Sequence, residues 1–109
     1  MKRVIYAGSE FVTGDDIAAA LLATCQALAE VGEAETVSIP TLNADGSVGG
    51  VLLLIGPASQ MMAHQIVTDA EEVIDAPAVS RLNAIQRRLH PTAAFDVEPA
   101  DPSPWDGDL

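Results

Sequence analysis

Five side chains in this sequence belong to the types that catalysis or metal binding uses. They are a thiol, two imidazoles, a hydroxyl and a carboxylate, at Cys25, His64, His90, Ser59 and Asp15. Catalysis requires a nucleophile or an acid–base group with a neighbour positioned to activate it. The five residues form no known local constellation, and His64 has no second ligand three or four residues away that would suggest a metal site. We therefore expect no catalytic residue, no metal site and no cofactor, so the protein is predicted not to be an enzyme.

An acidic pair, Asp15 and Asp16, has two interpretations. Carboxylate oxygens are suitable ligands for a divalent cation, but no other ligand lies near the pair in sequence. The pair also follows Thr13 and Gly14 in a pattern that resembles a capping box, and negative charge is favourable in the first turn of a helix. We interpret the pair as the start of a helix, with the Thr13 hydroxyl accepting a hydrogen bond from a free backbone N–H group.

A second short motif, residues 56–60 (GPASQ), follows an apolar segment. A glycine-containing loop between a strand and a helix invites comparison with phosphate-binding loops. The motif contains neither GxGxxG nor GxxxxGK followed by Ser or Thr, and no basic residue is near it in sequence. We expect a rigid exit turn, with Ser59 capping the next turn.

The charge of the chain restricts its partners. Five Lys and Arg residues against sixteen Asp and Glu residues give a net charge of −11 and a pI near 4.1. Nucleic acids and anionic membranes bind proteins through basic side chains, so we expect direct binding to neither. Cys25 is the single cysteine, which excludes an internal disulfide. The sequence shows no signal-peptide pattern and no apolar run of about 20 residues, so we predict a cytoplasmic protein without a membrane span.

The elements that would position these residues begin with a short strand over residues 2–7 and a helix over residues 15–31. The helix is rich in alanine, ends before Gly32, a favourable residue beyond a helix C-terminus, and carries no charge between Asp16 and Glu30. A helix with so small a polar face is either buried on two sides or packed against a partner. This pattern predicts self-association as a homo-oligomer.

A β-hairpin is predicted over residues 36–60. Its first arm, residues 36–44, contains Pro40, which has no N–H to donate to a neighbouring strand, so we expect an edge strand. Residues 45–46 (Asp-Gly) are a strong two-residue turn signal. The second arm, residues 51–55, is apolar on both faces, which is typical of a central strand. We place it between the first arm and the N-terminal strand.

The two-residue turn also predicts which side chains face the core. It pairs Ile39 with Leu52 and Val37 with Leu54, so these four share the face that the long helix covers. The opposite face of the second arm has no certain cover and is a candidate oligomer surface. Its residues are Val51, Leu53 and Ile55.

The second half of the chain contains one further helix. Residues 61–74 are expected to form an irregular or short helical connection. Pro77 suits a first helical turn, and Asp75 is placed to cap it. The apolar spacing predicts a helix over residues 78–89.

The C-terminal segment differs in composition from the rest. From residue 92 onward, prolines and carboxylates without periodicity predict disorder. We therefore divide the chain into a single domain, 1–91, and an acidic, proline-rich tail, 92–109. Trp105, the only tryptophan, is a candidate anchor for docking a protein partner through this tail, because aromatic side chains carry much interface energy.

Together these elements predict an α+β fold, in which a small, mostly antiparallel sheet made of the hairpin and the N-terminal strand is covered by one long alanine-rich helix, with a second helix towards the C-terminus. The features in residues 5–8 (IYAG), 15–16 (DD) and 53–59 (LLIGPAS) follow an order that resembles a group of small uncharacterised actinobacterial proteins. The uncharged helix and the acidic tail depart from that pattern. The resemblance implies the fold and no function.

Three classes of function remain open. The leading one is a non-enzymatic interaction or accessory domain that acts as a homo-oligomer. The second is a small-ligand-binding domain with an aliphatic pocket between sheet and helix, with Gly49-Gly50 and residues 56–60 at its mouth. The third is an acidic inhibitor or mimic that blocks the nucleic-acid site of a basic partner.

Overall fold

A computed structural model describes residues 1–89, which form one antiparallel sheet of five strands and two helices. The elements in chain order are β1 (Lys2–Tyr6), β2 (Ser9–Thr13), α1 (Asp15–Val31), β3 (Glu35–Leu42), β4 (Val48–Ile55), β5 (Met61–Gln65) and α2 (Ala76–Leu89). The strands lie in the order β4-β3-β2-β1-β5. This arrangement confirms the predicted α+β class. Neither described helix has the length and hydropathy that crossing a bilayer requires. His90 and the predicted tail, 92–109, lie outside the described residues.

The core lies between the sheet and the two helices, and it is almost entirely aliphatic. Its most deeply buried side chains include Ile17, Leu21 and Leu28 of α1, Ile39 of β3, Ile55 of β4 and Leu82 of α2. The helix α1 packs against α2 as well as against the sheet. Because α1 is buried on two sides within one chain, its lack of charged residues is explained without a second copy.

The helix α1 ends as its sequence predicts. Gly32 has a left-handed φ of 71°, a conformation that glycine adopts without steric cost. The N–H of Gly32 donates to the carbonyl of Ala29 (3.3 Å), and the N–H of Glu33 donates to the carbonyl of Leu28 (3.1 Å). These two bonds form a Schellman motif, which satisfies the last free carbonyls of the helix.

The turn between β3 and β4 is one residue longer than predicted. The N–H of Asn43 donates to the carbonyl of Ser47 (2.8 Å), which leaves a three-residue loop, residues 44–46. Gly46 takes the left-handed position of that loop, with a φ of 90°, as three-residue hairpin loops require. The Asp45 carboxylate accepts from the N–H of Ser47 (3.0 Å) and from its hydroxyl (2.6 Å), which lowers the pKa of Asp45.

The extra loop residue reverses the predicted faces of β4. Val37 pairs with Leu53, and Ile39 pairs with Val51, whereas the two-residue turn would have paired them with Leu54 and Leu52. A shift of one residue turns every side chain of a strand to the other face. The predicted face assignment is therefore wrong, and the residues offered as an oligomer surface face the helices instead. Leu53 is 8% exposed and Ile55 is fully buried, while Val51 is half-buried; Leu52 and Leu54 are 72% and 65% exposed.

The predicted strand order is also wrong at β4, which lies at the edge of the sheet, and at β3, which lies inside it. The inner position of β3 is compatible with Pro40 because β2 meets β3 only at the pair Val12 and Leu42. The carbonyl of Pro40 accepts a hydrogen bond from the Thr13 hydroxyl (2.7 Å). A strand with so little pairing on one side needs no N–H donor at the proline.

Residues 61–74 contain a strand that the sequence pattern did not indicate. β5 pairs antiparallel with β1, with Met61 opposite Tyr6 and Gln65 opposite Lys2. Five residues of mixed polarity give too little alternation to identify a strand, and the pairing partner is about 60 residues away in sequence. The following helix begins at Ala76, and the Asp75 carboxylate accepts from the N–H of Ala78 (3.0 Å), which confirms the predicted cap.

Residues 66–75 lead from β5 to α2 and cross the N-terminus of α1. The N–H of Asp15 donates to the Glu72 carboxylate (2.5 Å), so the cap of α1 comes from a residue that is distant in sequence. The predicted cap by Thr13 is wrong, because the Thr13 hydroxyl belongs to the last residue of β2 and bonds to β3. In the same crossing, a Cβ atom on Gly14 would lie 1.9 Å from the carbonyl oxygen of Val73.

Candidate functional site

An open groove lies where β1 and β5 meet the loop that follows β4. Its volume is about 740 Å³, and no charged residue lines it within the described part of the chain. We call it the Tyr6 groove. Its lining consists of Ile5, Tyr6, Ala7, Gly8, Ala34, Leu54 and residues 56–62.

The two side-chain hydroxyl groups of the Tyr6 groove, on Tyr6 and Ser59, bond to each other and to the backbone. The Tyr6 hydroxyl donates to the carbonyl of Leu54 and lies 2.9 Å from the Ser59 hydroxyl oxygen. Because the Tyr6 proton is used in the first bond, Ser59 is the donor in the second. The Ser59 oxygen in turn accepts from the N–H of Gly56 (2.8 Å), and the N–H of Ser59 donates to the carbonyl of Gly56 (3.1 Å). These bonds confirm residues 56–59 as an exit turn. The predicted cap on a following turn is wrong, because Ser59 bonds back to Gly56 and the strand β5 begins at Met61.

The two halves of the predicted ligand mouth are separate. Residues 56–60 line the Tyr6 groove, but Gly49 and Gly50 pair with Thr41 and Pro40 near the other end of β4. A Cβ atom on Gly49 would lie 2.9 Å from the Asn43 side chain, so this glycine makes room for the turn. The groove also lies at the end of the sheet, and its lining includes no residue of either helix.

Among the described residues, the side chains with potential chemistry do not lie together; His90 is outside the described part of the chain. Cys25 is buried on α1, and burial raises the pKa of its thiol, which opposes formation of a nucleophilic thiolate. His64 is exposed on β5, Ser59 lies in the Tyr6 groove, and Asp15 lies at the start of α1. Within residues 1–89, no group of three or more His, Cys, Asp or Glu side chains is arranged to hold a metal ion.

Asp15 instead takes part in an ion pair at the start of β1. The α-amino group of Met1 lies 2.8 Å from the Asp15 carboxylate and 3.1 Å from the Glu72 carboxylate. The hydrogen bond to Asp15 raises the pKa of the amino group, and the amino group lowers the pKa of Asp15. These contacts hold residues 66–75 against the start of β1, and they give Asp15 a structural role.

The outer face of β4 exposes several large apolar side chains to solvent. We call Val48, Leu52 and Leu54 the exposed β4 face; all three are more than 60% exposed. Ile5 and Met62, which are also exposed, continue the apolar surface from Leu54 into the Tyr6 groove. The apolar run on both faces of residues 51–55 is the sequence signal for this surface, but it does not tell which of the two faces is outermost.

Searches for a matching family model, a similar curated protein or a similar solved structure gave no match for this chain. The resemblance to small actinobacterial proteins therefore stays a prediction, and the function has to be argued from the exposed β4 face and the Tyr6 groove.

Proposed function

We propose that this protein is a non-enzymatic interaction domain that associates with a second copy of itself through the exposed β4 face. The observation that carries this proposal is the exposure of Leu52 and Leu54 on an edge strand, at 72% and 65%. Contiguous exposed apolar surface on a folded protein marks an interaction site.

The strand β4 lacks the features by which proteins protect an edge strand. Natural edges are kept from pairing by lysine, proline, short length or inward-pointing charge. The strand β4 has eight residues, VGGVLLLI, and none of them is proline or charged. Its outer edge has no strand partner among residues 1–89. An edge of this kind can accept another strand in addition to burying its side chains.

Charge favours a second copy over a basic partner at this surface. A basic protein would select a docking surface that carries carboxylates, and β4 offers none. The adjacent outward residues of β3, Thr36 and Ser38, are also uncharged. Two chains of net charge −11 repel each other over most of their surface, but a two-fold contact that pairs β4 with β4 places no like charges together.

The expected affinity is modest. Burying a leucine side chain contributes about 1.5–3 kcal/mol, so Leu52 and Leu54 from two copies contribute about 6–12 kcal/mol. Association costs about 4–15 kcal/mol in translational and rotational freedom and in ordering. The two terms are similar in size, so the leucines alone give only weak association. Backbone hydrogen bonds along two paired β4 edges add to the favourable term, and with them we expect a weak dimer that dissociates as the protein is diluted through the micromolar range.

Sedimentation velocity over a concentration series tests this proposal. We expect the wild-type protein to change from monomer to dimer with concentration, and Leu52→Glu to weaken the dimer at least about tenfold, since it places two like charges in the interface. The control is Val67→Glu, which makes the same change in charge at a fully exposed position (101%) outside the strands.

A wild-type protein that stays monomeric at high micromolar concentration would contradict the proposal. Equal dimer dissociation constants for Leu52→Glu and Val67→Glu would also contradict it. Thermal unfolding of both variants checks that each remains folded.

A further inference from the structure

We propose that the C-terminal segment, residues 90–109, returns to its own domain and places the indole of Trp105 in the Tyr6 groove. This segment lies outside the described residues. The inference goes beyond self-association and does not rest on it: the two surfaces share Leu54, but Val48 and Leu52 of the exposed β4 face are not part of the groove lining.

The described chain ends beside the groove. Arg88, one residue before the end of α2, donates to the Glu35 carboxylate (3.1 Å) and lies 3.7 Å from the Glu33 carboxylate. Ala34, between these two glutamates, lines the Tyr6 groove. The segment that follows Leu89 therefore starts within the combined reach of one arginine and one glutamate side chain from the groove.

The segment is long enough, and the connection makes docking favourable. Fifteen residues lie between Leu89 and Trp105, and an extended chain spans at most about 3.3–3.6 Å per residue. A flexible connection of this length gives a tethered group an effective concentration of about millimolar. A weak contact is therefore sufficient for Trp105 to occupy the groove, and an external ligand must compete with it.

The chemistry of the groove suits an indole. Tyr6, Leu54, Met61 and Met62 offer an aromatic ring, an aliphatic side chain and two thioethers, and aromatic rings pack well against aromatic rings and sulfur. The hydroxyl groups of Tyr6 and Ser59 already bond within the turn, so the groove does not favour a highly polar ligand. The side-chain carbonyl of Gln60, also in the lining, is a suitable acceptor for the indole N–H.

Intrinsic fluorescence of the full chain tests the inference, because Trp105 is its only tryptophan. We expect an emission maximum shifted to shorter wavelength than that of free tryptophan amide in the same buffer, with reduced quenching by acrylamide. Neither value should change with protein concentration. Because the groove has no charged lining, neither should change when salt is raised.

A groove variant and a matched control locate the docking site. Met62→Glu places a carboxylate in the groove and should return the emission to that of free tryptophan amide, while His64→Glu makes a similar change two residues further on the same face of β5, outside the groove. Circular dichroism checks the fold of both. If Met62→Glu does not fold, Ala58→Glu, at an exposed position in the groove lining, replaces it.

Three results would overturn the inference. The first is a wild-type emission equal to that of free tryptophan amide. The second is a shifted emission that the groove variant, Met62→Glu or its replacement Ala58→Glu, leaves unchanged. The third is a shift that appears only as concentration rises, since it would assign Trp105 to the groove of a second copy. A monomeric protein with a shifted, concentration-independent emission would contradict the proposed self-association and support the docking of Trp105.

Discussion

At Gly14, the backbone of a segment that is distant in sequence leaves no room for a side chain. Its φ is −69°, an angle open to any residue, so the requirement for glycine is steric and not conformational. The carbonyl of Val73 occupies the place where a side chain would begin. The sequence pattern assigned this glycine only to the start of a helix, because the crossing of residues 66–75 over that helix is a long-range contact.

We expect Gly14→Ala to destabilise the protein by about 1–3 kcal/mol or more, since its Cβ would lie 1.9 Å from a backbone oxygen and one segment would have to move. The control is Gly50→Ala, whose Cβ would meet its nearest atom, the carbonyl oxygen of Ile39, at 3.5 Å, an ordinary contact. Urea denaturation measures both free energies of unfolding. Equal stability of Gly14→Ala and the wild type would contradict the close crossing.

At the scale of elements, the loop between β3 and β4 determines which side of β4 faces water. The Asp-Gly signal correctly located a turn, but the same signal fits a two-residue loop and the last two residues of a three-residue loop. The difference reverses the faces of β4 and therefore decides that Leu52 and Leu54 are exposed. Sequence alone does not separate the two, because residues 51–55 are apolar on both faces.

We expect Gly46→Ala to destabilise the hairpin by about 1–2 kcal/mol, because a side chain is unfavourable at its φ of 90°. Gly46→Asn should recover part of this loss, since asparagine tolerates the left-handed region better than alanine does. Thermal unfolding of the wild type and both variants gives the comparison. A Gly46→Ala protein that is as stable as the wild type would contradict the three-residue loop.

At the scale of the whole molecule, net charge and exposed apolar surface have opposite effects on association between copies. A net charge of −11 disfavours contact between two copies, while the proposed contact through the exposed β4 face would favour it. The third function class, an acidic inhibitor of a basic partner, differs from self-association in how it responds to salt, because a contact between opposite charges weakens as salt screens them.

We therefore expect self-association to become tighter when salt is raised from about 0.01 M to about 0.15 M, since the Debye length falls from about 30 Å to about 8 Å and the repulsion between the two chains is screened. Sedimentation equilibrium at the two salt concentrations measures the change. A dimer that weakens as salt rises would indicate an interface held by opposite charges and would argue against the exposed β4 face.

The sequence by itself determined the properties that depend on neighbouring residues: the α+β class, the bounds of α1, the Asp75 cap of α2, the turn at residues 56–59 and the net negative charge. Caps, turns and periodic apolar positions act within a few residues, so they can be recognised without the fold. Only the tertiary structure decided the edge position of β4, the pairing of β5 with β1, the cap that Glu72 supplies to α1, and the meeting of Tyr6 with Ser59. These features join residues that are about 50 or more apart in sequence or depend on a single residue in a loop, and no local pattern specifies such contacts.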